Sequence, residues 1–292
     1  PMDNSGKPTP PALDIESFFN NLIQRLFPVW YAGQAAKELS LPPLGTINPN
    51  SFLSHRWLSL QAVVKSLHES LQASGKDWQP LIDLMEKLLI EKEYKRPLSI
   101  TAIEGVEFSH QEQDWPNLHA YAEHNCADIM LESADDFEQA LHTVFPDAAK
   151  PHRVVYREWD GRYYWVNKEE PRLFAATLLY AQQKQRDASI PALINVESLN
   201  TKVLDRLRND YWLLLMQRDS AYIMHDLLSR ADLPVVLAEF EWRRSDLVFL
   251  VARKNNRKIN RILLNLLNNR STQQITEFGR FLTRQHFPFR NH

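Results

Sequence analysis

One stretch near the C-terminus, residues 234–270, constrains the fold more than any other. It holds two apolar segments separated by the polar run Arg-Arg-Ser-Asp, and it continues into a segment rich in Asn and Arg with helical spacing of its apolar residues. Two apolar strands joined by a short polar loop are typical of a β-hairpin. A chain that combines such hairpins with helical patterns is expected to form a mixed or antiparallel sheet with helices packed on it.

The N-terminal half has the periodicity of helices. Apolar residues recur at intervals of three and four residues, and the Pro residue at position 28 is expected to end the first helix. The helices are predicted within residues 15–28, 52–74 and 77–89. Further helices are predicted at 117–126 and after Ser133, where Ser133 and Asp136 have the spacing of a capping box.

The second half alternates strand and helix patterns. Asp160 and Gly161 predict a two-residue hairpin turn, because Gly and Asp accept the positive φ angles of a type I′ turn. The register that follows pairs Trp159 with Arg162, Glu158 with Tyr163, and Tyr156 with Trp165. Strands are also predicted at 98–103 and 190–196, and helices at 171–185, 257–269 and 272–286. Residues 200–230 are predicted to form one long helix or two abutting helices.

These patterns together predict an α+β protein dominated by helices. The N-terminal half is expected to be helical, and the C-terminal half is expected to contain a mixed or antiparallel sheet with helices. The predicted organisation is a flexible tail over residues 1–12, a mainly helical domain over 13–150, and an α+β domain with basic C-terminal helices over 151–292.

Composition narrows the classes of function. Only 7 of 292 residues are Gly, which disfavours a Gly-rich phosphate loop, and we predict no cofactor. The single cysteine, Cys126, cannot form an internal disulfide, which suits a reducing compartment. The apolar runs are much shorter than the roughly 20 residues that span a bilayer, and the N-terminus has no signal pattern. We therefore expect a cytoplasmic protein without a membrane partner.

Charge is divided unevenly along the chain. Residues 253–292 contain nine cations and one acid, Glu277, a charge of +8, whereas the whole chain is formally -2 and residues 1–252 therefore carry -10. The residues predicted to bind an anionic partner are Arg253, Lys254, Arg257, Lys258, Arg261, Arg270, Arg280 and Arg284. Such segregation predicts a cationic surface.

A nucleic acid is the partner that this surface fits best, with DNA favoured over RNA. Lysine and arginine neutralise phosphates, and Gln or Arg side chains can reach base edges. Two short helices joined by a polar turn resemble a helix-turn-helix arrangement, although no Gly marks the turn. The hypothesis is a non-enzymatic nucleic-acid-binding or regulatory protein, since no catalytic motif is diagnostic.

Two other functions remain open. The first is a protein-interaction module, an adaptor or inhibitor, that would present either the cationic face to an acidic protein or an aromatic hairpin to its partner. The aromatic residues of that hairpin are Tyr156, Trp159, Tyr163, Tyr164 and Trp165, which could also stack bases or simply be core.

The second is a metal-dependent nuclease. Glu239 and Glu241 share one face of a predicted strand, and Asp232, Asp246 or Glu197 could complete a carboxylate cluster for a divalent ion. A looser group of possible ligands consists of His110, Asp114, His119, Glu123, His124 and Cys126. Neither group has the spacing of a known metal motif, and we predict no metal site.

Overall fold

A computed structural model of the protein describes residues 15–44, 60–106, 115, 117–147, 149–166, 170–240, 246–284 and 287–290. Its helices are α1 (Ile15–Leu26), α2 (Pro28–Glu38), α3 (Leu60–Ala73), α4 (Gln79–Met85), α5 (Leu118–Asn125), α6 (Ala134–Val144), α7 (Pro171–Gln183), α8 (Thr201–Asp210), α9 (Arg218–Arg230), α10 (Arg257–Asn268) and α11 (Phe278–Arg284). Its strands are β1 (Leu89–Ser99), β2 (Ile103–Val106), β3 (His152–Arg157), β4 (Arg162–Trp165), β5 (Ser189–Leu199), β6 (Tyr211–Gln217), β7 (Val235–Glu239), β8 (Leu247–Arg253) and β9 (Thr276–Glu277). The α+β class predicted from the sequence is confirmed.

The first sheet is mixed and has the order β1-β5-β3-β4-β2. β1 pairs antiparallel with β5, whereas β3 pairs parallel with β5. Pro97 is tolerated in β1 because β1 lies at the edge, where a missing N–H removes no ladder bond. β1 and β2 come from before residue 150, so the N-terminal half is not purely helical, and the domain division at that residue stays a prediction.

The second sheet is antiparallel, with the order β7-β8-β6-β9, and lies between two layers of helices. Leu213 and Leu215 of β6 pack with α3, α4, α8 and α11. Leu214 and Met216, on the opposite face, pack with α2, α9 and α10. The predicted hairpin of the opening stretch is confirmed, since β7 and β8 pair with Val235 opposite Ala252.

The prediction of one long helix or two abutting helices over 200–230 is wrong in its middle part. Strand β6 lies there, between α8 and α9. The six residues 211–216 are all buried, because both faces of β6 are covered by helices. A strand buried on both faces has a continuous apolar run, which does not show the alternation by which a strand is recognised.

Two other predicted helices are shorter than expected. The helix predicted over 77–89 ends at Met85 as α4, after a short 3-10 turn at Lys76–Trp78, and Leu89 already begins β1. The helix predicted over 272–286 is replaced in its first turns by β9, which pairs with β6 before α11 begins at Phe278. The helix predicted over 52–74 is described from Leu60, and its first residues lie outside the described part of the chain.

The predicted register of the Asp-Gly hairpin is wrong by two residues. Arg157 lies opposite Arg162, and a four-residue turn replaces the two-residue one. The reason is the burial of Asp160, whose carboxylate accepts hydrogen bonds from the Arg162 N–H and the Tyr164 hydroxyl. Gly161 keeps its positive φ of 73°, so the residue that the turn needs was identified correctly.

A buried polar network lies beneath this turn. Arg157 is completely buried, and its Nε lies 3.4 Å from Oε2 of Glu197. Its guanidinium also stacks 4.1 Å from the centre of the Tyr164 ring. Burial raises the pKa of the Asp160 carboxyl to about 6, although Arg157, the Tyr164 hydroxyl and Arg162 oppose the shift.

The raised pKa of Asp160 predicts a pH dependence of stability. The folded chain binds the proton of this carboxyl more tightly than the unfolded chain does. The contribution of that proton to the free energy of unfolding is therefore largest below the ordinary pKa and is lost as the pH rises through about 6. Asp160→Asn removes that contribution but keeps an acceptor for Tyr164. Urea unfolding should show the variant gaining about 2 kcal/mol relative to the wild type between about pH 4.5 and pH 7. A difference that does not change with pH would contradict this reading.

The C-terminal segment 287–290 packs against the first sheet. The Tyr156 hydroxyl donates a hydrogen bond to the Phe287 carbonyl at 2.9 Å, and the Phe289 ring centre lies 5.0 Å from that of Tyr94. A Cβ at Gly161 would lie 2.9 Å from Phe287, so only Gly leaves room for this chain. Helix α11 is thus held between β9 of one sheet and a segment that packs on the other.

Candidate functional site

A cleft of about 590 Å³ opens where the second sheet meets α8 and α11. The end of α8, the start of β6, the residue after β8 and the end of α11 all contribute to it. Its lining residues are Arg208, Asn209, Trp212, Lys254, Arg280, Thr283 and Arg284. Four of these seven are cations and none is an acid, so the cleft favours an anion.

Lys254 is held at the inner side of the cleft. Its Nζ donates a hydrogen bond to the Arg208 carbonyl at the C-terminal turn of α8, and it lies 4.1 Å from the Trp212 ring centre. Oε1 of Glu277 is 3.8 Å away. Burial lowers the pKa of Lys254, against the opposing effect of Glu277. These contacts hold the Lys254 side chain in one conformation, so an anion that binds in the cleft does not have to order it.

Glu277 is an acid that lies within 4 Å of both Lys254 and Arg280. It is 7% exposed, and its Oε2 accepts a hydrogen bond from the Arg280 N–H at 2.7 Å and lies 3.9 Å from the Arg280 Nε. Burial raises the pKa of Glu277, although Lys254 and Arg280 both favour its ionised form. The carboxylate therefore neutralises part of the positive charge from behind the cleft.

The cleft keeps a positive balance after its salt bridges are considered. Arg208 pairs with Asp205 at 3.2 Å, and Lys254 and Arg280 share Glu277. Four cations against two carboxylates leave a local charge of +2. Within the described residues, Arg284 has no carboxylate partner and is exposed at the end of α11. An anionic ligand can thus be bound without breaking a salt bridge of Arg284.

The first turn of α10 lies beside the cleft. The Trp212 Nε1 donates to the Asn260 side chain at 2.8 Å, and the Asn260 amide donates to the Lys254 carbonyl at 2.6 Å. These contacts place Asn260 beside the cleft. The exposed cations of the first two turns of α10 are Arg257, Lys258 and Arg261, which do not line the cleft and form no salt bridge among the described residues.

The remaining two predicted site residues have structural partners outside the cleft. Arg253 donates to the Asp77 carbonyl and lies over the Trp78 ring at 5.5 Å. Arg270 donates to the carbonyls of Lys37 and Leu39 at the end of α2. Lysine and arginine side chains often satisfy the last carbonyls of a helix. The fold therefore brings Lys254, Arg280 and Arg284 together and uses these two arginines to fix neighbouring segments.

Four residues that line the cleft were not among those predicted: Arg208, Asn209, Trp212 and Thr283. Arg208 belongs to α8, and Trp212 to the strand that was taken for a helix. The signal available was the polar end of α8, Arg-Asn-Asp, directly before the apolar run of β6. Recognising that boundary would have placed Arg208 and Trp212 at the end of a sheet.

The helix-turn-helix resemblance is not retained in the structure. Strand β9 lies between α10 and α11 and pairs with β6 through Leu214 and Glu277. Ser271 and Gln274, whose spacing is that of a capping box, do interact, with the Gln274 side chain accepting a hydrogen bond from the Ser271 N–H at 3.2 Å. They close a turn that leads into the strand, and a helix does not begin there.

The aromatic hairpin is part of the core. The largest buried side chains of the described chain include Trp159, Trp165 and Tyr164, and Tyr156 is also buried. Tyr163 is half-buried and its hydroxyl accepts a hydrogen bond from Arg96 at 2.7 Å. Core packing is therefore the reading that the structure supports, and these rings do not form an exposed anchor for a partner.

Among the described residues, the carboxylates of the nuclease hypothesis form no cluster that could hold a metal ion. Glu239 forms two hydrogen bonds with Arg218, at 3.0 and 2.7 Å, in the second sheet. Glu197 lies in the first sheet with Arg157. Asp246 accepts the Arg218 N–H through its carbonyl. Glu241 lies outside the described residues, as do His110 and Asp114 of the looser group.

The described His and Cys residues have other partners. His119 lies 3.2 Å from Glu123, the His124 ring packs 4.9 Å from Trp115, and the Cys126 thiol donates to the Arg172 carbonyl. Burial raises the pKa of that thiol. Across the described ranges, no group of three or more His, Cys, Asp or Glu residues has the geometry to hold a metal ion.

None of the described helices is both long and apolar enough to cross a membrane. No curated protein and no solved structure matches the chain significantly. Residues 93–291 match a family described as "Family of unknown function (DUF6685)". The matched segment contains β2–β9 and all residues that line the cleft. Because it covers more than half of the chain, the protein belongs to this family.

Proposed function

We propose that the protein binds nucleic acid by its phosphate backbone, with DNA as the preferred ligand, in a non-enzymatic and regulatory role. The observation that carries the proposal is the cleft, in which Arg208, Lys254, Arg280 and Arg284 converge without a lining acid. Phosphate contacts by lysine and arginine supply most of the affinity for nucleic acid that does not depend on sequence.

The kinds of cation in the cleft suit phosphate. Three of the four are arginines, and a planar guanidinium can bind two phosphate oxygens at once. Arg280 and Arg284 are one helical turn apart on α11, so both can approach one anion or two successive phosphates. Lys254 adds a fixed charge behind them.

Helix α10 extends the charged surface. Arg257 and Lys258 lie in its first turn, which has no acidic residue. Cations at this end oppose the helix dipole at a cost of about 0.3–1 kcal/mol each, so helix stability does not explain their presence. A phosphate near this turn would be attracted by the side chains and by the helix dipole.

The proposal predicts a steep dependence of affinity on salt. Four to seven phosphate contacts correspond to a slope of log K against log salt of about -3 to -6. Fluorescence polarisation of a labelled oligonucleotide between low and moderate salt measures this slope. The variant with alanine at Arg257, Lys258 and Arg261 should reduce the magnitude of the slope by about 2 to 3. Absence of salt-sensitive binding to any DNA or RNA would end the proposal.

An acidic protein is the alternative partner for the same cations. Competition with polyaspartate of matched charge separates the two, because polyaspartate supplies the carboxylates of an acidic protein but no phosphate and no base. The proposal expects DNA to compete at least about tenfold better than polyaspartate at equal charge. Equal competition would favour the acidic protein instead.

A further inference from the structure

A second recess, of about 160 Å³, adjoins the cleft. It lies between the end of α10, the turn before β9 and α11, and it shares Arg280 and Arg284 with the cleft. The two arginines therefore stand between two cavities that differ in size. One ligand with two chemically different parts could occupy both cavities at once.

The recess differs from the cleft in chemistry. Three of its ten lining residues, Leu267, Ile275 and Phe281, are apolar. Besides the two shared arginines, the polar lining consists of Arg270, Thr276, Glu277 and the exposed Asn268 and Thr272. Apolar side chains beside several hydrogen-bonding groups suit a flat ring with polar edges. A phosphate gains nothing from apolar walls, since it would lose its hydration there.

Glu277 also lines the recess. Its buried carboxylate repels an anion, whereas Arg270, Arg280 and Arg284 on the same wall attract one. The cleft, with four lining cations and no lining acid, is the more favourable place for the phosphate of a ligand. An uncharged, flat group is the part of the ligand that suits the recess.

On the basis of the proposed function, we infer that the recess holds one unstacked base of a single-stranded nucleic acid whose adjacent phosphate lies in the cleft. Arg280 and Arg284 can then bind the phosphate on one side and lie along the base on the other, as arginine planes do in complexes with single strands. A base in a duplex would first have to be flipped out, at a cost of a few kcal/mol. The preferred ligand is therefore single-stranded.

Filling the recess tests this inference. Thr272→Trp places a large ring at the mouth, and Ser271→Trp adds the same ring at an exposed neighbour that does not line the recess. Thr272→Trp is expected to weaken binding of a single-stranded oligonucleotide about 5- to 100-fold, which is the effect of losing one stacked base. Ser271→Trp should bind the same oligonucleotide with an affinity close to that of the wild type. A second pair of variants tests the other side of the recess. Asn268 in α10 lines the recess and Asn265 in the same helix does not, so Asn268→Trp should weaken binding and Asn265→Trp should not.

An abasic oligonucleotide of the same length separates the base from the phosphate. Wild type should bind it more weakly than the normal strand, and Thr272→Trp should bind both equally. A duplex of the same sequence should also bind more weakly than the single strand. If duplex or abasic strand binds wild type as tightly as the normal strand, in a salt-sensitive manner, the recess inference is overturned while phosphate binding stands. Absence of binding by every probe overturns both.

Discussion

Reversing the charge of Arg280 and Arg284 together is expected to weaken oligonucleotide binding at least about 100-fold. Each Arg→Glu change replaces an attraction to phosphate with a repulsion, and both side chains line the cleft and the recess. Charges that close to a ligand interact by about 2 kcal/mol or more at the effective dielectric of a protein surface. Titration by fluorescence polarisation at low salt gives the affinity of each variant.

Two further variants test whether weaker binding results from the charge in the cleft, and not from a disrupted salt bridge or from the altered net charge. Arg284→Glu alone disrupts no salt bridge of the described residues and should still cost about tenfold or more. Reversal of Lys92 and Lys150, which are exposed and do not line the cleft, changes the net charge of the protein by the same amount. If this distant pair weakens binding as much as the cleft pair does, the ligand is responding to net charge and not to the cleft.

Arg157→Ala is expected to reduce the free energy of unfolding by about 3–5 kcal/mol, because it leaves a buried carboxylate without its cation. Arg157 is 0% exposed and Glu197 is 2% exposed, at 3.4 Å between Nε and Oε2. The change also removes the stacking of the guanidinium on Tyr164. Urea unfolding near neutral pH measures the loss.

The matched control lies on the same strand. Arg153 is exposed in β3, so Arg153→Ala should change the free energy of unfolding by no more than about 0.5 kcal/mol. A loss below about 1 kcal/mol in Arg157→Ala would show that the ion pair is solvated or replaceable. The pair would then contribute little to the stability of the buried network beneath the hairpin turn.

Local sequence signals predicted the elements that depend on neighbouring residues alone. The Ser133 hydroxyl and the Asp136 carboxylate form the expected capping box at the start of α6. Pro171 begins α7, as expected for a residue whose fixed φ suits the first turn. In both cases the structure depends only on residues within one helical turn of each other, so a local sequence pattern is enough to predict it.

Elements that depend on distant partners were not predicted correctly. The sequence of β6 is an unbroken apolar run, which has neither the alternation of a half-buried strand nor the three-and-four spacing of a helix. Such a run can be assigned to a strand only when the helices that cover both of its faces are known. The hairpin register depends on the burial of Asp160, which no local pattern reveals. The same limit applies to the site. Arg270 was grouped with the cleft cations by sequence, yet it fixes the end of α2, more than two hundred residues earlier in the chain.

Hydrogen–deuterium exchange with and without a single-stranded oligonucleotide tests most directly whether the cleft is the binding site. Bound ligand should slow exchange of backbone amides in the segments that form the cleft, at 206–212, 253–261 and 278–284, and leave α5 and α6 unchanged. Helices α5 and α6 pack on the other sheet and serve as the internal reference. Slowed exchange in α5 or α6 with none in the cleft segments would contradict the assignment of the anion to Arg208, Lys254, Arg280 and Arg284.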